Sequence, residues 1–303
     1  MRFSISIPQD LDDGEFDPAG FRAYLRRAEE LGFDGAWTQE QVLGSAARSS
    51  PLETMVYAAA CTERIRLGCA VFVTTLHSPL QLAKSLSTLD QLSRGRVDVG
   101  VGVGGGGPSL AAFAVDPATR VARFTEGLEL MKACWTQPRI TFDGRFWQVD
   151  GGAMEPKPFQ KPHPPVWFGA RHPNALRRAV RHGDGFFGAG SATTAQFVEQ
   201  MGVVREALAE QERDPAGFSI AKRVYIGVDD DAARAQKRSA ATLQRFYARD
   251  DLLSVAVFGS ADKCAEEVRE VIDAGAEMVL FTPLFDDAEQ MERIAAEVMP
   301  RLS

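Results

Sequence analysis

Ile65-Arg66-Leu67-Gly68-Cys69-Ala70-Val71-Phe72-Val73 is the stretch on which the fold turns. It is apolar almost without alternation, as a strand reads when both faces of its sheet are covered by helices. Its neighbours supply those helices. Residues 52–61 precede it at helical spacing behind Pro51, and Pro79 opens a second amphipathic run at 79–92 ahead of another strand-like stretch at 96–101. Proline is favoured in a first helical turn, so strand, helix and strand here form one parallel crossover unit.

The same unit recurs in both directions along the chain. Strands are expected at residues 3–7, 35–38, 66–72, 96–101, 166–169, 185–187, 221–227 and 278–282. Helices are expected at 17–31, 52–61, 79–92, 117–135, 174–181, 194–213, 232–247, 261–274 and 288–301, with Pro117 in a first turn like Pro51 and Pro79. Eight repeats of a parallel unit predict an α/β fold, a single (β/α)8 TIM barrel. Residues 137–165 break the rhythm, and Asp143-Gly144 between two β-prone runs reads as a hairpin inserted before the fifth strand. The reading assigns residues 1–303 to one barrel domain.

Bulk properties restrict the partners. A chain of 303 residues suits one barrel, and 45% apolar with 25% charged residues is the composition of an ordinary globular protein. The net charge of −7 argues against nucleic acid or an anionic membrane, leaving a small molecule as the expected partner. No 18-residue apolar run occurs, and the first residues read as a strand and not a secretion signal, so a cytoplasmic location is expected. The four cysteines and four histidines show neither CxxC nor HExxH spacing, so no metal site is expected.

In a barrel of this kind the loops after the C-terminal strand ends meet ligands. Those ends carry Gln9; Gln39, Glu40 and Gln41; Ala70, Val71 and His77; Gly102, Val103, Gly104, Gly105, Gly106 and Gly107; and Gly169, Ala170 and Arg171. Glycine at this density lets backbone approach a flat ring or a phosphate, or simply makes a tight loop. The GxGxxG match at Gly100, Gly102 and Gly105 does not open a helix, so a Rossmann site is rejected. Gly169-Ala170-Arg171 leads from a strand into a helix, where free amides, the helix dipole and a guanidinium suit a phosphate, although a solvated turn would read the same way. Glu40 is placed to bind a ring N–H, take a proton or pair with a base, and Trp37 reads as packing.

Taken together, these residues resemble the luciferase-like monooxygenases. Ala36-Trp37-Thr38-Gln39-Glu40, the third strand with Glu63-Arg64 ahead of it, Leu89-Asp90-Gln91-Leu92-Ser93-Arg94-Gly95-Arg96-Val97, Pro164-Pro165-Val166-Trp167-Phe168-Gly169 and Gly183-Asp184-Gly185-Phe186 carry the likeness over nearly the whole chain. The resemblance implies a barrel that holds the deazaflavin F420 or, alternatively, FMN at its mouth, with a non-prolyl cis peptide at or near Ala70-Val71 supporting the ring. It implies that Gly102, Val103, Gly104 and Gly105 line the ring or its side chain, that Gly169, Ala170 and Arg171 hold the phosphate, and that Glu40 and Gln41 orient ring or substrate. A homodimer is also implied. Many members have His where this chain has Gln41, and glucose-6-phosphate-type members have Glu where it has Gly105. The favoured reading is hydride transfer between F420 and a small organic substrate. An FMN-dependent monooxygenase and a non-catalytic flavin-binding member are the alternatives.

Overall fold

In the computed structural model, which describes residues 1–302 apart from 12–13, 45, 106–107 and 248–249, parallel strands close into a barrel. They run as β1 (Arg2–Ser6), β2 (Gly35–Thr38), β3 (Arg66–Val73) and β4 (Val97–Gly102). An antiparallel hairpin follows, β5 (Ile140–Asp143) with β6 (Gln148–Gly152), and then β7 (Val166–Gly169), β8 (Gly185–Gly188), β9 (Ser219–Val228), β10 (Val257–Gly259) and β11 (Met278–Pro283). Pairing of β8 with β9 and of β11 with β1 closes the ring of eight, and every contact within it is parallel. The fold is therefore the (β/α)8 TIM barrel read from the sequence, with the hairpin lying between its fourth and fifth strands. All eight C-terminal strand ends meet at one mouth, which is what positions the site.

The helices are α1 (Pro18–Glu30), α2 (Pro51–Cys61), α3 (Pro79–Leu92), α4 (Pro108–Ala112), α5 (Arg120–Thr136), α6 (Pro173–His182), α7 (Thr194–Glu210), α8 (Ala232–Tyr247), α9 (Ala261–Asp273) and α10 (Asp287–Arg293). Prolines 51 and 79 do open their helices. Pro117 does not: Asp116 closes a turn over it, its carboxylate accepting the Ala118 amide at 2.9 Å and its carbonyl the Thr119 amide at 3.1 Å, and α5 starts only at Arg120. The last expected helix is present but passes through a π turn at Ile294–Val298. None of the helices among the described residues is long and apolar enough to cross a membrane.

Two apolar layers hold the barrel. One lies between the strands and the surrounding helices. The other fills the barrel interior with Trp37, Trp167, Phe187, Ala221, Met278 and Leu280. Trp37 meets Trp167 and Phe187 edge to face, at 6.1 and 4.9 Å between ring centroids, so it packs as expected. Residues 137–165 are tied to the opposite end from the mouth, where the Gln160 side chain joins Asp90 and the Val97 carbonyl near the start of β4.

Candidate functional site

The third strand does not run straight. Its pairing with β4 is regular up to Cys69 opposite Val99, then slips so that Phe72 faces Val101, and the intervening Ala70–Val71 peptide is cis. The family resemblance places an irregular peptide at this position. β4 accommodates the bulge with glycine: a Cβ on Gly100 would lie 2.0 Å from the Cys69 carbonyl oxygen, and one on Gly102 2.6 Å from the Val71 side chain. A Cβ on Gly104, which also has a positive φ of 78°, would meet Val73 at 2.5 Å. These glycines are thus shaped first by the bulge itself. Gly105 is different, with open space where a Cβ would be, while Gly106 and Gly107 lie outside the described residues. The clash at Gly100 is with backbone, which cannot rotate away. Gly100→Ala is expected to cost about 3 kcal/mol of stability in chemical denaturation; a loss near zero would mean that the bulge is free to relax.

Glu40, at the mouth after β2, holds the other end of the bulge. One carboxylate oxygen accepts the Val73 amide at 2.6 Å, and the other lies 2.7 Å from His77 Nε2. Its side chain is only 3% exposed. Both oxygens are therefore engaged, and His77, from the loop after β3, stands beside the carboxylate although Gln41 replaces the histidine that many family members carry after the second strand. Gln41 is exposed and, with Glu40, Val73, Gly104 and Gly105, lines a small pocket of about 160 Å³ behind the bulge. Gln9 is buried and knits loops together, exchanging hydrogen bonds with the Gln39 backbone and donating to the Ser49 carbonyl.

In front of the bulge lies a cavity of about 760 Å³. Ala70, Val71, Gly102, Val103, Gly104 and Gly105 form one wall, and Gly169, Ala170 and Arg171 another. The structure thus gathers all the expected ring and phosphate residues except Glu40 and Gln41 around a single space. The phosphate turn departs from expectation in one respect. The Asn174 amide is not free, because it donates to Nδ1 of His172, the residue capping α6. An anion there would meet the 169–172 turn, the helix dipole and the side chains of Arg120, Arg171 and Arg178, which line the same cavity.

Two residues that the sequence reading did not single out complete the floor. Arg223, on β9, is 6% exposed and donates through Nη2 to the Ala70 carbonyl at 3.2 Å, holding the bulge from inside the barrel. Its Nε–H is buried with no partner, and no carboxylate pairs with this guanidinium among the described residues. Its neighbour Lys222 is 3% exposed and gives its ammonium protons to the carbonyls of Ala189, Ala192 and Arg223. Burial, then Arg223 and Arg171, pull this lysine down to about 7. The contacts to Ala189 and Ala192 make it a clamp on the 189–192 loop. A buried, unbalanced cation beside a cavity is costly unless an anion or an acceptor arrives. A cation-floored space of this size, walled by glycine, alanine and valine with Phe187 and Tyr225, suits a flat, negatively charged molecule.

On the other side of the mouth a second cavity, about 510 Å³, is lined by Ser6, Gln9, Gln39, Tyr247 and Thr282 among others. Tyr225 lines both spaces. Burial, with Tyr247 at 5.8 Å between rings, pushes its hydroxyl well above the usual tyrosine range, so it stays protonated.

The family follows from this site and the fold together. The family model of luciferase-like monooxygenases matches residues 1–254, and the chain belongs to that family of oxidoreductases. Over its full length it is similar to an F420-dependent glucose-6-phosphate dehydrogenase of Beutenbergia cavernae, 28% identical and covering 95% of this chain and 94% of the relative. Two solved structures share the fold end to end. A monooxygenase from Streptomyces bottropensis superposes with a TM-score of 0.86 at 22% identity, covering 100% of both chains. An F420-dependent secondary alcohol dehydrogenase in complex with an F420–acetone adduct superposes with a TM-score of 0.85 at 18% identity, covering 100% of this chain and 99% of the other.

Proposed function

We propose that this protein is an F420-dependent oxidoreductase that transfers a hydride between the deazaflavin and a small organic substrate. The observation that carries the reading is the continuous cavity from the Ala70–Val71 bulge to the 169–172 turn, with the unpartnered Arg223 Nε–H at its floor. The residues fit the group. Ala70 and Val71 would seat the ring, Val103, Gly104 and Gly105 would flank it, and Gly169, Ala170 and Arg171 would hold the phosphate. When bound, the deazaflavin supplies a carbon that gives or takes a hydride.

The chain itself binds, orients and excludes water. Val71, Val103, Val121 and Phe187 present apolar surface to the cavity, where a polar interaction is worth more than in water. Arg223 offers one N–H to an acceptor on the ring or substrate, and its charge favours whichever redox state is the more anionic. Tyr225, shared by the two cavities and protonated, is placed to donate a hydrogen bond to a substrate oxygen in the 510 Å³ space. Glu40 and Gln41 act from behind, Glu40 by fixing the bulge. Residues 1–303 are taken as one domain acting in the cytoplasm, and the family resemblance implies a homodimer. Glucose 6-phosphate is not proposed as substrate, since Gly105 stands where that type carries an acidic side chain.

Incubation of the protein with F420 and panels of alcohols and carbonyl compounds is expected to change the deazaflavin absorbance with at least one of them. Oxygen consumption should not rise when reduced FMN is supplied. Oxygen uptake with reduced FMN and no reaction of the deazaflavin would replace this reading with the FMN-dependent monooxygenase.

A further inference from the structure

The main cavity does not end at the phosphate turn. Asn174 and Arg178, which line it, also line an adjoining groove of about 340 Å³ between α5 and α6, whose other walls include Thr125, Arg177, Arg181 and His182. Positions 174, 178 and 181 follow one another at helical spacing along one face of α6. Arg178 and Arg181 have no acidic partner among the described residues, whereas Arg177 faces Glu206 and Glu210 of α7 at 3.6 Å each. His182, which also lines the groove, lies 3.9 Å from Glu129 of α5. Part burial of Arg178 lowers its affinity for its proton, and this half-buried charge has no counter-ion among the described residues.

Like charges three and four residues apart repel one another on a helix. A cation near the C-terminal end of α6 is favoured by the helix dipole, which accounts for Arg181 alone. It does not account for Arg178 in mid-helix, nor for a groove that joins a ligand cavity at its phosphate end. We propose that this groove seats an acidic arm of the ligand, running from the 169–172 turn past Asn174 and Arg178 to Arg181. The arm expected is a string of carboxylates like the oligoglutamate tail of F420. The inference rests on the deazaflavin reading above, and it also separates the two cofactors, because FMN ends at its phosphate and would leave the groove empty.

The test compares F420 bearing a long oligoglutamate tail with the same cofactor carrying none, by fluorescence titration of the intact protein at low and high salt. The tail is expected to tighten binding on the order of tenfold at low salt, the scale of a few solvent-exposed ion pairs, and the gain should shrink as salt rises. Arg181→Gln should remove most of the gain and leave the affinity for the tailless form unchanged, while Arg181→Lys should keep part of it. Thermal melting of each variant shows that the fold is intact. Equal binding of tailed and tailless cofactor by the parent protein overturns the groove assignment and leaves the cofactor reading standing. So does a tail gain that survives Arg181→Gln. Binding of neither form overturns both.

Discussion

Arg223→Met should weaken cofactor binding by about a hundredfold, equivalent to about 2.7 kcal/mol, which lies within the range for a hydrogen bond to a charged group. Methionine spans much of the same length but offers no donor. The cavity would lose the Nε–H that has no partner among the described residues, and the Ala70 carbonyl would lose its donor at 3.2 Å. Stability should move the other way. The arginine is 94% buried without a carboxylate opposite, and replacing such a charge by an apolar side chain is commonly neutral or stabilising. The apoprotein is therefore expected to melt at or slightly above the parent temperature. Arg223→Lys retains charge without the planar fork and should recover only part of the affinity. Calorimetric titration beside thermal melting checks both halves. Parent-like affinity in the methionine variant would remove Arg223 from the site, and a large drop in melting temperature would make it a structural residue.

Glu40→Ala should cost about 3 kcal/mol of stability, because it removes a buried carboxylate and leaves the Val73 amide and the half-buried His77 without their shared acceptor. For a barrel of this size that lowers the melting temperature by about 5 °C. Cofactor affinity should fall as well, since the bulge that the carboxylate holds also walls the cavity. Glu40→Gln separates bracing from chemistry. The amide oxygen still accepts from Val73 and its NH2 group can donate to a neutral His77, so a bracing role predicts near-parent stability, affinity and turnover. Lost turnover at unchanged stability and affinity would instead make Glu40 a participant in the reaction.

The sequence carried the barrel because short, mostly apolar strands alternate with longer amphipathic helices along the whole chain. β10 went unread because three residues, Val257–Gly259, are too few for any period to appear. Pro117 misled because a proline fits a turn held by Asp116 as well as it fits a first helical turn.

The candidate site was legible where it lies on strand ends, at Ala70 and Val71, at Gly102 to Gly105 and at Gly169 to Arg171. It was illegible where it depends on which side chains cross the barrel. Lys222 and Arg223 did leave a signal. Adjacent residues of a strand point to opposite faces, so two neighbouring cations inside the apolar β9 cannot both reach solvent through one face. Both are in fact buried. Reading that pair as buried would have located the floor of the cavity. The engagement of Glu40 with His77, 37 residues further on, has no local trace, because the two residues follow different strands and meet only once β2 and β3 pair.

A 760 Å³ cavity built for a deazaflavin should discriminate between the two cofactors. Titration of the purified apoprotein with F420 and, separately, with FMN, followed by ligand fluorescence, tests it most directly. Micromolar or tighter binding of F420 and markedly weaker binding of FMN are expected. Preference for FMN, or binding of neither, would contradict the deazaflavin assignment.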